Sequence, residues 1–205
     1  MLRARASFPS LVVLLIGCVA GVLLPWAGII RAPLTAIFNR RPDALDAPPL
    51  RRPREGEILY HHLYVGADGT TRMARDVAFG GLEKRGSFGA PQYVRLLGNQ
   101  TTLPVTSTIV TQMVGDNPWH YCPAPQFVVT LAGEWYITTG DGQTTTFRPG
   151  DILYQDNVPS HPLAKAGTRA AQHYSGVVEG SGACNQLVIQ VERAIEPPGQ
   201  AGAWS

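Results

Sequence analysis

The sequence predicts an all-β domain behind a single N-terminal membrane helix. Short runs of β-branched and aromatic residues recur from residue 57 onward, divided by turn signals, and no long helical period follows residue 55. Leu11–Ile30 is a run of twenty residues without a charge. Between the two lies a stretch rich in Pro and Arg with no sustained apolar period.

Residues 1–10 form a basic tail, with Arg3 and Arg5 ahead of the apolar run as in a secretory n-region. As a helix, residues 11–30 would span ~30 Å, the hydrocarbon thickness of a bilayer. A cleaved signal peptide has an apolar stretch of about 7–15 residues. This run is longer, and no small-x-small site closes it. An uncleaved anchor is favoured, with Pro25 kinking the helix near its end. A rival reading stands beside it. Leu15-Ile16-Gly17-Cys18 has the form of a bacterial lipobox, which would make Cys18 a lipidated N-terminus. The residues after Cys18 stay apolar, which suits a continuing helix better. Arginines near the helix ends are nearly balanced, two before and three after (Arg31, Arg40, Arg41). Export is the usual fate of a short N-tail before such a segment. The expectation is a single-pass membrane protein with its barrel on the extracytoplasmic, periplasmic side.

Residues 31–56 read as a linker. The first 54 residues hold eight Arg and two Asp, a charge of +6, and the remainder holds nine basic and thirteen acidic residues, −4. An anionic lipid surface suits the basic half. The mildly acidic remainder has no Lys/Arg cluster, so nucleic acid is not an expected ligand.

The strand candidates from residue 57 are 58–65, 70–79, 93–97, 101–114, 126–131, 134–139, 144–147, 151–154, 170–178 and 186–192. Turns are expected at 67–69, 132–133 and 140–142, and a Gly-containing loop at 80–92. No internal repeat stands out. Residues 193–205 are left as a C-terminal tail. Many short strands with no helix between them read as a sandwich or barrel.

Two stretches carry chemistry. The first is GDNPWHYCPAPQFVVTLAG, residues 115–133. Residues i and i+2 of a strand point to one face, so His120 and Cys122 would both look inward. Gln126 begins the next strand candidate, which can bring it opposite them. The second is PGDILYQDNVPSH, residues 149–161, which ends on His161. Neutral imidazole ligates most divalent transition metals, and thiolate suits Zn or Fe. Gln is a weak, neutral oxygen donor. Blander readings stand beside these. His120 donates to a backbone carbonyl at a strand end. Cys122 fills a small apolar space. Gln126 is a hydrogen-bonding pocket residue. His61 and His62 are ordinary strand residues. Trp119, Trp135, Tyr154 and His173 are candidates for the wall of a ligand pocket, and the two tryptophans also read as core. Cys122 and Cys184 stand outside the apolar run, and in an exported domain they are candidates for a disulfide.

The first stretch resembles the first motif of the cupins: Gly, H-x-H, Glu, then Gly six residues on. His120 matches the first His, Cys122 stands at the second, Gln126 at the Glu, and Gly133 at the closing Gly. The second stretch resembles the second motif, with Pro-Gly-Asp opening a strand and His161 near the expected offset. Asp156-Asn157-Val158 replaces the usual Pro-x-Gly. LYHHLYVGADGTTRM (residues 59–73), the loop Phe88–Pro91 and WHYCPAPQFVVTLAGE (residues 119–134) extend the likeness to a subgroup of small bacterial cupin-domain proteins. The resemblance covers residues 57–192. It implies a cupin jelly-roll β-barrel, often a homodimer, frequently holding Fe, Mn, Zn or Ni in its mouth. The metal set it implies is His120, His161, Gln126 and Cys122.

Two functions are therefore expected to compete. One is a membrane-anchored cupin that binds a divalent metal and a small organic molecule, as an oxygenase, isomerase or hydrolase. The other is a non-catalytic binding or sensory module without metal, favoured by the loss of the second His and the Glu. No Ser-His-Asp arrangement, phosphate loop or zinc-finger spacing appears.

Overall fold

A computed structural model describes residues 51–87, 90–165, 168–193 and 198–205. The basic tail, the expected membrane helix with Cys18, and residues 31–50 of the linker lie outside the described residues. Among the described residues no helix is long and apolar enough to cross a membrane. None of them is helical at all; the domain is all-β.

The strands are β1 (Leu59–Val65), β2 (Thr71–Ala78), β3 (Glu83–Ser87), β4 (Ala90–Val94), β5 (Val105–Met113), β6 (Asn117–His120), β7 (Gln126–Ala132), β8 (Trp135–Thr139), β9 (Thr144–Phe147), β10 (Ile152–Gln155), β11 (His173–Val177) and β12 (Cys184–Val191). A six-stranded sheet runs β2-β1-β10-β7-β12-β5, and a four-stranded sheet runs β6-β11-β8-β9. β3 and β4 form a separate ribbon. β1 and β10 pair in parallel, whereas the other strand pairs are antiparallel.

The two larger sheets enclose an apolar interior. Leu63, Val128, Leu153 and Val188 enter it from one sheet, and Trp135, Ile137 and Phe147 from the other. Period-2 alternation sends the intervening side chains to the outer face of the six-stranded sheet. That face is apolar too. Tyr60, Phe127, Tyr154 and Val191 form a second buried cluster with Phe79 and Trp204, joined by Leu97, Leu103 and Ala203. The middle of the six-stranded sheet is thus covered on both sides, with residues 203–204 closing the outer one, while the edge strand β5 is mostly exposed.

Two glycines set turns, one after β7 and one before β10. Gly133 has φ +74° and leads into β8, where an added Cβ would lie 2.5 Å from the Ala183 carbonyl oxygen. Gly150 has φ +95° ahead of β10. Both positions lie in the left-handed region that favours glycine.

Several elements depart from the sequence reading. The expected loop 80–92 contains β3 and the start of β4. β3 has no apolar alternation because it is an exposed ribbon with no core face to mark it. The expected strand 101–114 begins only at Val105. The Asn99 side-chain oxygen accepts the Thr101 and Thr102 amides and holds a turn there. β6 was not expected, because Pro118 sits within it. It is an edge strand of its sheet, where proline is tolerated.

Candidate functional site

The end of β6 and the loop after β10 bring most of the polar side chains of the two motifs into one region. β6 pairs with β11 so that His120 stands opposite His173, with ring centroids 4.1 Å apart. The His120 Nδ1–H donates to the Pro118 carbonyl at 2.7 Å, the backbone bond of the blander reading. Its Nε2 accepts from the Asn117 amide at 3.1 Å. His173 is buried, and its Nδ1 accepts from Asn157 Nδ2 at 3.0 Å. The same Asn157 amide donates to the Ala171 carbonyl. Burial holds His120 below the ordinary imidazole range. Burial, then the neighbouring His120, brings His173 down to about 3.

Asp156, in the loop after β10, serves a different histidine. It accepts the His62 Nε2–H at 3.0 Å, and both side chains are nearly inaccessible, at 1% and 7% exposure. His62 Nδ1 in turn accepts the Gly202 amide. His161 is buried, and its Nδ1 accepts the Leu163 amide at 3.1 Å. Burial lowers its pKa; Asp156 acts upward on it and His62 downward. The electrostatic neighbours of His161 are therefore Asp156 and His62, whereas His120 is paired with His173.

Cys122 is fully buried, and burial followed by Asp156 pushes its thiol well above the usual range. It is a free thiol, as is Cys184, which packs in the core between the sheets. The disulfide considered from sequence is not formed. Gln126 opens β7, and its Oε1 accepts from Gln190 Nε2 at 3.0 Å, as expected of a hydrogen-bonding pocket residue. Gln155 is its neighbour in register on β10.

The aromatic candidates separate. Trp135 stacks on Phe147 in the core, with its Nε1–H on Thr130. Trp119 packs near Tyr174, under the Arg169 guanidinium. Tyr154 belongs to the outer cluster beside Phe127 and Trp204, and burial pushes its hydroxyl up. They do not wall one pocket; of the four candidates, His173 is the one beside His120.

A metal ion does not fit this donor set. Among the described residues no three His, Cys, Asp or Glu side chains are grouped to hold one. The reason is chemical as well as geometric. A neutral imidazole has one lone pair to give. Each of the five histidines already spends it on an N–H: His61 on Asp76, His62 on Gly202, His120 on Asn117, His161 on Leu163 and His173 on Asn157. Gln126 Oε1, a neutral donor, accepts from Gln190, and burial raises the Cys122 thiol.

Beside this region lies a cavity of about 730 Å³. Residues that flank Cys122 and His161 line it: Pro123, Ala124 and Pro125 on one side, Pro159, Ser160 and Pro162 on the other. Arg193 also lines it. The sequence reading missed the His62–Asp156 pair, Asn157, Arg193 and Trp204. The replacement of Pro-x-Gly by Asp156-Asn157-Val158 was a signal for two of them. A lone Trp in a Gly/Ala-rich tail was a signal for another.

No family model matches the chain, and no curated protein matches it. The chain is similar to solved structures at low identity. A Neisseria meningitidis protein is 14% identical over 42% of this chain and 72% of its own, with a TM-score of 0.31. A cupin-2 domain containing protein from Shewanella frigidimarina is 12% identical over 48% of this chain and 78% of its own, with a TM-score of 0.31. A cupin domain from Schizosaccharomyces pombe is 12% identical over 68% of this chain and 86% of its own, with a TM-score of 0.30.

Proposed function

We propose that the chain is a cupin-type barrel that binds a small organic molecule without a metal, tethered to a membrane through residues 11–30 with the barrel on the extracytoplasmic side. One observation carries the choice between the two expected functions: every imidazole lone pair is already used by an N–H donor of the chain itself. The cupin assignment is supported by the two motif stretches together with the all-β, two-sheet domain. The tether is supported by the uncharged run 11–30, and a non-nucleic-acid ligand by the acidic balance of the remainder. Dimerisation is an expectation of the cupin reading alone.

Such a site does its chemistry by shape and hydrogen bonding. His120 and His173 stay neutral at pH 7, and Cys122 stays a thiol. None is an activated nucleophile or a charged acid. The test is elemental analysis of the chain purified without chelator or His-tag, with the variant Gln126→Glu alongside. The expected result is substoichiometric metal in both. One metal per chain, lost in His120→Ala and in His161→Ala, would reverse the reading and restore the metal-binding cupin.

A further inference from the structure

β5 is the last strand of the six-stranded sheet, and among the described residues no strand pairs with its far side. Such an edge is a template for another strand, and proteins blunt it with charge, proline or a short length. β5 has none of these. It runs for nine residues, VTSTIVTQM, without a charge, a proline or a glycine. Only Ser107 and Met113 are half-buried; its other residues are exposed.

A row of apolar side chains runs out to this edge. Ile152 on β10 stands opposite Val129 on β7, Val129 opposite Leu187 on β12, and Leu187 opposite Val110 on β5. By the period of 2 they lie on the outer face, with Phe127 and Ile189. Trp204 packs on Phe127 in the neighbouring row. This row emerges from that cover: Ile152, Val129 and Leu187 are half-buried, and Val110 is 78% exposed.

The strand that completes this row must carry an apolar residue at the matching position, and β5 of a second copy does. Two antiparallel copies related by a two-fold axis normal to the sheet keep the same face outward, so each residue meets one of its own parity. Centred on Val110, the pairing sets Val110 against Val110 and joins the two rows end to end. Thr108 then meets Gln112, and Thr106 meets Val114. Moving the centre by one residue sets Val110 against Thr108 or Gln112 and breaks the row, and such a pattern is what fixes register. Charge agrees. Like charges directly opposite destabilise a strand pair, and β5 brings none to meet itself. The edge is ~30 Å long and a sheet ~10 Å deep, so the contact buries on the order of 600 Å² in total. Stable complexes bury about 1,200 Å² or more, which places this pair among the reversible ones.

We propose that β5 is a self-association surface: two chains pair antiparallel along it, centred on Val110, so that their six-stranded sheets run on as one. The ligand and metal readings above neither support this pairing nor depend on it.

The experiment is sedimentation velocity of the purified full chain in detergent, from about 1 to 500 µM, where a small interface should pass from monomer to dimer. Val110→Lys sets two like charges on the axis and should weaken association roughly tenfold. Val110 is exposed in the single chain, so the melting temperature of the dilute variant should not change. Register is read by oxidation. Val110→Cys should form a 110–110 disulfide, identified by peptide mass, because directly opposite residues hold their Cα atoms within ~5.5 Å. Thr108→Cys should not link to itself, since its two copies lie four residues apart along the strand, ~13 Å. A monomer at every concentration overturns the proposal, as does a dimer that Val110→Lys leaves unchanged. A link through Thr108→Cys in preference to Val110→Cys overturns the register. Slow hydrogen exchange of the outward β5 amides in a chain that stays monomeric assigns the edge to another segment of the same chain and overturns the proposal too.

Discussion

Acid should unfold this domain through its histidines, well before its carboxylates are titrated. His61 is held at about 4 by burial, and His173 at about 3. Both are nearly inaccessible, at 3% and 2% exposure. In the unfolded chain each would titrate near ~6.5. The folded pKa is depressed, so above pH 7 neither state binds the proton and the pair is neutral toward stability. Below about 6.5 the unfolded chain gains protons that the folded chain refuses, and stability falls as the pH drops toward the folded values. At pH 5 each group costs ~2 kcal/mol, or about 4 kcal/mol together, against the 5–15 kcal/mol a typical domain has in hand. His120 and His161 are lowered too and push in the same direction. Asp151, whose carboxyl burial raises, works the other way. Glu57 is held at about 2 beside Arg51, so its contribution is fully present above pH 5 and adds no slope there. The assay is urea unfolding of residues 51–205 followed by tryptophan fluorescence, at half-unit steps from pH 7.5 to 5. His173→Gln, if it folds, should remove about 2 kcal/mol of the loss between pH 7 and 5, and His61→Gln about as much. A loss below about 1 kcal/mol between pH 7 and 5 would refute the burial argument.

Three further outcomes follow from particular contacts. Gly133→Val should cost about 1–3 kcal/mol and Gly150→Val less, because only Gly133 combines positive φ with a carbonyl 2.5 Å from the new Cβ; equal melting temperatures for the two variants would contradict the clash. Trp204→Ala should cost about 3–5 kcal/mol and expose the outer face of the six-stranded sheet, read as a lower urea midpoint and as binding of an apolar dye. The full chain should pellet with membranes and resist carbonate washing while residues 55–205 stay soluble. The mass of the N-terminus then distinguishes an intact anchor from a diacylated Cys18, and a soluble full-length chain would contradict both.

The sequence was most legible where one face of a strand meets the core. β7, β8, β9 and β10 alternate or run apolar, are bounded by Gly133 and Gly150, and lie within a residue of their expected ends. It was least legible where no such contrast exists. β3 and β4 bury no face, and β6 carries a proline that an edge strand tolerates. The outer layer was hidden for a different reason. Trp204 reaches Tyr60 across 144 residues of chain and Tyr154 across fifty, and nothing in local spacing announces those contacts. The site shows the same division. Spacing singled out His120, Gln126 and His161; the last two are buried and His120 is half-buried. Their partners, Asn117, Asn157, Gln190 and Leu163, decide whether a lone pair is open, and a motif does not encode them.

The engagement of all five histidines has a consequence for chemical labelling. Acylating reagents such as diethyl pyrocarbonate attack the imine nitrogen through its lone pair. In the folded chain that nitrogen faces a chain N–H at every histidine, so the native domain presents no reactive imidazole. Opening any one of the five contacts releases one acylation site. The number and identity of modified histidines after a brief pulse therefore map which part of the barrel has opened. His62 reports the departure of residues 202–203, and His173 reports the parting of β11 from the loop at Asn157.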